Sequence, residues 1–238
     1  MTELASDTAM VLAAGLGKRM RPLTATRPKP LVRVAGKAML DHALDALAAA
    51  GVARAVVNVH YMPELIEAHV KGRTAPAITI SDERAQLLET GGGLVHAAAL
   101  LPDPFFCLNS DNLWLDGPTN AFADLSAAWD PDKMDALLLV VAHKGARNFR
   151  GKGDFHMEEN GVLRRRASGR IAPFVFTGIQ LASKRLLRDA PEGPFSTNLL
   201  WDRAIEEGRL YGVAFTGMWF EVGTPEAIAP TEAALRDG

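Results

Sequence analysis

Short apolar runs alternate with helix-like segments through the first two thirds of this 238-residue chain. Residues 9–14 are a short apolar run and residues 105–109 are almost wholly apolar, so both predict buried strands, and the Val-rich residues 53–59 predict another strand. Residues 39–50 carry apolar side chains at helical spacing and end before Gly51. Strands that are apolar on both faces need cover on both faces, which helices in the intervening segments supply. The sequence therefore predicts an α/β fold with a mostly parallel sheet covered by helices.

The texture of the sequence changes after residue 142. Residues 144–155 are rich in Gly, Arg and Lys, and residues 155–166 predict a hairpin that turns at Asn160-Gly161. Thr224 is the expected N-cap of a last helix, with Pro225 at its first position. We expect one domain over residues 1–238, in which residues 143–227 complete a pocket begun by residues 8–142.

Composition narrows the classes of partner and compartment. The formal net charge of −2 gives no reason to expect nucleic acid as a ligand. Cys107 is the single cysteine, which excludes an internal disulfide and favours a reducing compartment. The first residues do not resemble a signal peptide, and no apolar run reaches the length of a membrane span. We therefore expect a cytoplasmic protein without membrane contact.

The first predicted strand runs into a glycine-rich loop followed by cations. Gly15 and Gly17 allow backbone N–H groups to approach phosphate oxygens, and Arg19, Arg21 and Lys29 can neutralise their charge. This combination predicts a polyphosphate site; the alternative is a tight turn that binds nothing.

Two common phosphate loops do not fit this segment. No third glycine follows at the spacing of a dinucleotide fold, and Asn58-Val59-His60 stands where an acidic ribose ligand is usual. A nicotinamide-dependent oxidoreductase is therefore disfavoured. No Gly-Lys-Ser/Thr follows either, which argues against a P-loop.

Four motifs occur in the order that is typical of sugar-1-phosphate nucleotidyltransferases, and the resemblance extends to about Ala227. They are the loop over residues 12–24 with Pro28-Lys29-Pro30-Leu31, Glu89-Thr90-Gly91-Gly92-Gly93, Leu108-Asn109-Ser110-Asp111, and Trp219-Phe220-Glu221-Val222-Gly223-Thr224-Pro225. Within this superfamily the chain is most similar to bacterial N-acetylmuramate 1-phosphate uridylyltransferases of cell-wall recycling. That similarity adds Gly151-Lys152-Gly153-Asp154-Phe155 and Phe176-Thr177-Gly178-Ile179. Mannose-1-phosphate guanylyltransferases share much of the pattern.

The resemblance implies a Rossmann-like three-layer α/β/α fold around a mostly parallel mixed sheet. It implies Mg²⁺-dependent transfer of a nucleotide, UTP being the expected donor, to N-acetylmuramate 1-phosphate, with release of pyrophosphate. Residues 8–142 would bind the nucleotide and residues 143–227 the sugar. A mannose-1-phosphate guanylyltransferase is the alternative within the family, and we expect a monomer or a homodimer.

The resemblance also assigns roles to residues. Arg19 and Lys29 are the expected catalytic residues, and Asp111 and Glu221 the expected Mg²⁺ ligands. The expected nucleotide-binding residues are Ala13, Gly15, Gly17, Lys18, Arg19, Lys29, Gln86, Thr90 and Gly91. The expected sugar-binding residues are Asn109, Lys152, Asp154 and Gly178.

Plainer roles remain open for several of these residues. Asp111 could be a turn aspartate and Asn109 a strand-end cap. Lys152 and Asp154 could be solvated loop charges, Gly178 a β-bulge and Gln86 an exposed polar residue.

Glu221 departs from the family, which has Asp at this position, and its extra methylene displaces the ligand oxygens. A non-catalytic protein that binds a nucleotide or nucleotide sugar, with an impaired metal site, is therefore the alternative of another class.

Overall fold

The computed structural model describes residues 3–237. The strands are β1 (Thr8–Leu12), β2 (Arg33–Val34), β3 (Lys37–Ala38), β4 (Arg54–Val59), β5 (Ala77–Asp82), β6 (Phe105–Asn109), β7 (Asn112–Leu115), β8 (Ala136–Ala142), β9 (Ala146–Arg147), β10 (Phe155–Met157), β11 (Leu163–Arg165), β12 (Phe174–Ala182), β13 (Leu210–Ala214) and β14 (Met218–Glu221). The α-helices are α1 (Met39–Ala50), α2 (Pro63–Val70), α3 (Glu89–Ala97), α4 (Ala121–Ala128), α5 (Asn198–Glu206) and α6 (Ile228–Asp237).

The central sheet has the strand order β13-β8-β12-β6-β1-β4-β5. β6, β1, β4 and β5 are parallel neighbours, and β13 is parallel to β8. β12 lies between β6 and β8 and is antiparallel to both. The hairpin of β10 and β11 continues the sheet from the Phe174 end of β12. The carboxyl ends of the parallel strands therefore meet at one edge, where open α/β sheets bind ligands.

Both faces of the sheet are buried, as the apolar strands require. Along β1, Ala9 and Val11 belong to one apolar cluster and Met10 to the other, because successive side chains point to opposite faces. Helices α1, α2 and α4 pack on the first face, and α3 and α5 on the second. This arrangement confirms the predicted three-layer α/β/α fold with a mostly parallel mixed sheet.

The predicted elements agree with the structure except at a few bounds. The helix predicted over residues 92–101 begins earlier, at Glu89, and gives way to a 3₁₀ turn at Ala98–Leu100. Its early glycines weaken a helix signal, but Gly91 and Gly92 lie against the segment before α5, and Gly93 lies against Glu83 and Asn58. None of the three positions has room for a side chain. Thr224 precedes a 3₁₀ turn at Pro225–Ala227, after which α6 begins.

A second, three-stranded sheet was not predicted. β14 pairs antiparallel with β7 and parallel with β9, and Phe220 and Leu113 are cross-strand partners in a small apolar cluster. β7 and β14 are more than a hundred residues apart in the chain, so their pairing has no local signal. It positions Glu221 next to the end of β6. No helix within residues 3–237 is long and apolar enough to cross a membrane.

Candidate active site

Three neighbouring cavities open at the carboxyl ends of β1 and β6. The central cavity, of about 400 Å³, is lined by residues that include Ala13, Gly15, Lys29, Thr90, Asn109 and Asp111. The hairpin cavity, of about 330 Å³, is lined by residues that include Thr90, Asn109, Asp111, Asp154, Gly178 and Glu221. The loop cavity, of about 360 Å³, is lined by residues that include Gly15, Gly17, Lys18, Arg19, Lys29 and Asp111. Asp111 lines all three cavities, so it stands where they meet.

Lys29 and Asp111 form an ion pair at this junction. Lys29 Nζ lies 2.6 Å from Asp111 Oδ2, and the Lys29 side chain is only 12% exposed whereas that of Asp111 is 33% exposed. Lys29 begins a 3₁₀ turn at Lys29–Leu31, and two further 3₁₀ turns separate it from the glycine-rich loop in the chain. A nearly buried ammonium beside an accessible carboxylate can attract a phosphate while leaving a carboxylate oxygen for a cation.

Glu221 is brought beside Asp111 by the second sheet. It is the cross-strand partner of Asn112, the residue that follows Asp111. Directly opposed residues of an antiparallel pair have Cα atoms about 4.5–5.5 Å apart. Arg19 Nη1 lies 3.7 Å from Glu221 Oε1, and the arginine side chain is 67% exposed. Asp111 and Glu221 thus share the hairpin cavity, each next to a cation of the loop region.

The donor set fits Mg²⁺ bound together with substrate. Mg²⁺ typically takes one or two carboxylates and completes its shell with phosphate oxygens and water. Asp111 and Glu221 are such a pair in one cavity. Within residues 3–237 no group of three or more His, Cys, Asp or Glu side chains could enclose a metal, so the pair does not resemble a closed structural metal site.

A buried polar network fixes the inner end of the central cavity. Asn58 Oδ1 accepts from Ala13 N at 2.6 Å, and Asn58 Nδ2 donates to Glu83 Oε1 at 2.7 Å. Glu83 Oε2 accepts from Leu88 N at 3.3 Å, and Glu83 is 2% exposed. The network holds the end of β1 against the start of α3. The sequence analysis did not predict that Asn58 links Ala13 to Glu83. The one hint in the sequence is a polar residue near the end of a Val-rich strand.

Thr90 and Gly91 connect α3 to the segment before α5. Thr90 Oγ1 accepts from Thr197 N at 2.9 Å, and Gly91 N donates to Phe195 O at 2.8 Å. A side chain at position 91 would overlap the Phe195 ring. Thr90 lines two of the cavities, whereas Gly91 lines none of the three and allows close packing.

The residues predicted to bind the sugar divide into two groups. Asn109, Asp154 and Gly178 line the hairpin cavity, and Asp154 Oδ2 accepts from Phe176 N at 2.9 Å. Gly178 has φ +87° in a register shift of β12, and a Cβ there would overlap Asn112 Nδ2. Gly178 is therefore both a β-bulge residue and a residue whose backbone packs closely against the cavity wall.

Lys152 and the nucleotide candidate Gln86 are both exposed and line none of the three cavities. In this structure they are not brought to the junction with the other predicted residues.

Aromatic and polar side chains form the remaining wall of the hairpin cavity. Trp201 Nε1 donates to Gln180 Oε1 at 3.0 Å, beside Cys107. Burial raises the pKa of the Cys107 thiol to about 12, so it is neutral at physiological pH and is no candidate nucleophile. Phe176 meets the Trp201 ring edge to face at 4.8 Å. These residues suit contact with a sugar ring rather than with a polyphosphate.

A mostly parallel sheet with a glycine-rich loop, cations and two carboxylates at one edge is the arrangement of a nucleotide-dependent transferase. The nucleotidyl transferase family model matches residues 8–165, and the chain belongs to this family. This match confirms the predicted enzyme class.

Two curated relatives and one solved structure illustrate the similarity. The chain is 48% identical, over 98% of both chains, to N-acetylmuramate alpha-1-phosphate uridylyltransferase of Caulobacter vibrioides. It is 32% identical to the mannose-1-phosphate guanylyltransferase catalytic subunit beta of Danio rerio, over 92% of this chain and 61% of that one. The fold matches a putative glucose-1-phosphate thymidylyltransferase from Bacillus anthracis with a TM-score of 0.81 at 16% identity, covering 97% of this chain and 96% of that one.

Proposed function

We propose that this protein transfers a uridylyl group from UTP to N-acetylmuramate 1-phosphate, releasing pyrophosphate, in cell-wall recycling. The position of Asp111 at the meeting point of three cavities, paired with Lys29, carries the proposal. The choice of UTP and of the sugar is supported by 48% identity to the Caulobacter uridylyltransferase, against 32% to the Danio guanylyltransferase. A reaction that uses UTP agrees with the cytoplasmic location expected from the sequence.

The reaction requires two anions to be brought together. A phosphate oxygen of the sugar 1-phosphate attacks the α-phosphorus of UTP; a new P–O bond forms, and the bond to pyrophosphate breaks. The nucleophile is already an anion near neutral pH, so no general base is needed. The task of the protein is to position the reactants and to neutralise developing charge.

The residues at the junction are suited to these tasks. The central cavity takes the base and ribose, and the loop cavity takes the triphosphate against Gly15, Gly17 and Lys18. Arg19 offers a planar fork to the outer phosphates, and Lys29 a point charge near the phosphorus under attack. The sugar lies in the hairpin cavity against Asn109 and Asp154.

Asp111 and Glu221 are the residues that would hold Mg²⁺. When bound there, the ion supplies charge neutralisation and orientation to the phosphate oxygens. Lys29 and Arg19 lie beside these carboxylates, so both cations are close to the phosphate oxygens that would bind there.

Pyrophosphate release tests the proposal. The protein is assayed with Mg²⁺, each of the four nucleoside triphosphates, and the 1-phosphates of N-acetylmuramate, N-acetylglucosamine, mannose and glucose. We expect the highest kcat/KM with UTP and N-acetylmuramate 1-phosphate. Preference for GTP and mannose 1-phosphate would establish the guanylyltransferase alternative, and binding without turnover of any pair would establish the non-catalytic one.

A further inference from the structure

Arg165, on β11 of the hairpin, lines the far wall of the hairpin cavity and has no role in the transfer described above. Its guanidinium is fixed on several sides. Nε donates to Asp202 Oδ1 at 2.6 Å, and Nη2 donates to the carbonyl and side-chain oxygens of Asn198 at 3.1 and 3.0 Å. Cζ lies 4.9 Å from the ring centroid of Phe155 and 5.6 Å from that of Trp201. An arginine held in this way has already lost most of its rotamer entropy.

One nitrogen of this guanidinium is uncommitted. Nη1 of Arg165 makes no hydrogen bond within residues 3–237, and the side chain is 32% exposed. The carboxylate of its partner Asp202 is half exposed, so solvent screens its attraction for the guanidinium of Arg165. A donor that is fixed but unused on a cavity wall is suited to an anionic acceptor.

Thr197, which precedes the Asn198 that Arg165 contacts, supplies a second unused group. It lines the hairpin cavity and is 4% exposed. Its Oγ1 has no hydrogen-bond partner in the described part of the chain. A buried hydroxyl without a partner costs free energy, which a ligand that bonds to it would recover.

The two groups together define a corner for a carboxylate. N-acetylmuramate differs from N-acetylglucosamine by a lactyl ether that carries a carboxylate. Its two oxygens can accept from an arginine N–H and from a hydroxyl, and the methyl group of the lactyl unit can contact the aromatic wall of Phe176 and Trp201. Neutral sugars offer no such anion.

We propose that Arg165 and Thr197 form the carboxylate-binding corner that selects a sugar 1-phosphate with a lactyl group. The inference rests on the proposed function, because it assigns the residues that recognise that substrate. Arg165 would act on KM for the sugar and not on KM for UTP, since it lines the hairpin cavity and neither of the other two.

The test compares N-acetylmuramate 1-phosphate with N-acetylglucosamine 1-phosphate in the wild type and in Arg165→Gln. We expect the ratio of their kcat/KM values to fall roughly ten- to a hundredfold in the variant, the range for a lost hydrogen bond to a charged group. The fall should come from KM of the first sugar. Arg164→Gln is the matched control, because Arg164 is the preceding residue and lines none of the three cavities.

Thr197→Val keeps the test decisive if Arg165→Gln folds poorly. The substitution removes a hydroxyl that bonds to nothing in the protein, so the melting temperature should stay the same or rise while KM for N-acetylmuramate 1-phosphate increases. Ser81→Ala is the control: Ser81 also has a buried, unpartnered hydroxyl, but it lines none of the cavities, and KM should not change.

The outcomes separate the two proposals. A wild type that does not use N-acetylmuramate 1-phosphate contradicts the proposed function. A wild type that prefers this sugar, with folded Arg165→Gln and Thr197→Val variants that keep the full preference, overturns the carboxylate corner alone. Equal losses with both sugars would also overturn it, because they would indicate a purely structural contact between the hairpin and α5.

Discussion

Asp111 and Asp135 lie at opposite ends of the central sheet and have opposite surroundings. Asp111 follows the carboxyl end of β6, borders three cavities and has Lys29 within 4 Å. Asp135 precedes β8, and its side chain is 3% exposed. Arg185 Nε and Arg209 Nε both donate to its Oδ1, at 2.7 and 2.6 Å.

The difference separates a functional carboxylate from a structural one. Burial alone would raise the pKa of Asp135, but the hydrogen bonds and charges of Arg209 and Arg185 outweigh it and hold the pKa below its ordinary value. That ion cluster joins the loop before β8 to the segments after β12 and α5. Asp111, by contrast, keeps accessible oxygens at the edge of the sheet where α/β proteins bind ligands.

Lys29→Ala should have a large effect on catalysis and a small one on folding. Removal of an electrostatic stabiliser of the transition state is expected to lower kcat by about two to three orders of magnitude, or about 3–4 kcal/mol. Lys37→Ala is the control, because Lys37 is an exposed lysine in an ion pair with Asp45. An unchanged kcat in Lys29→Ala would show that this lysine, like Asp135, has a structural role and no catalytic one.

Asp135→Asn should show the reverse behaviour. It leaves two arginines without their carboxylate, and we expect the free energy of unfolding to fall by about 3 kcal/mol, at the lower end for a broken buried ion pair because both arginines are partly exposed. Turnover per folded molecule should remain. Urea unfolding and specific activity measure the two effects. Asp130→Asn, which breaks the exposed pair with Lys133, is the control with an effect near zero.

Glu221→Asp tests the tolerance of the functional end. β14 fixes the backbone at residue 221, so the shorter aspartate side chain draws the carboxylate back from the proposed Mg²⁺ position. The Mg²⁺ concentration for half-maximal rate should therefore rise by up to about tenfold, or about 1.4 kcal/mol. The measurement is a Mg²⁺ titration of initial rates. A large gain in activity over an inert parent would instead indicate that Glu221 impairs the site.

Acid pH gives the smallest expected effect. The pKa of Asp135 is lowered by folding, so its contribution is fully present above the unfolded pKa and is lost as pH falls through the folded pKa. The loss begins as pH approaches the ordinary aspartate pKa of about 3.9 and grows below that pH. The stability gap between the wild type and Asp135→Asn should therefore narrow below about pH 4 in urea titrations. If this stability difference widens on acidification, Asp135 is not the stabilising carboxylate that the structure indicates.

Features with a local sequence signal could be predicted, whereas features that depend on pairing between distant segments could not. The parallel strands and their helices were predicted because apolar runs and helical spacing are local signals. Asp111 was chosen because it follows a buried strand. The nearness of Glu221 to Asp111 depends on the pairing of β14 with β7, which joins distant segments and leaves no local trace.

Polar contacts between distant segments also could not be predicted from local sequence patterns. The Asn58–Glu83 pair and the unused groups of Arg165 and Thr197 become visible only when their surroundings are known. Lys152 and Gln86 were expected at the site from the family resemblance, and the fold leaves both exposed and outside the linings of the three cavities. Their assigned roles stay predictions.

Asp111→Asn tests the central claim most directly, because it removes one charge at the junction of the cavities and almost no volume. Mg²⁺-dependent pyrophosphate release and the melting temperature are measured on the same preparation. We expect turnover to fall by at least about three orders of magnitude, as for a lost metal ligand at a reaction centre, with the melting temperature nearly unchanged. A folded Asp111→Asn variant that keeps wild-type, Mg²⁺-dependent turnover would contradict the account.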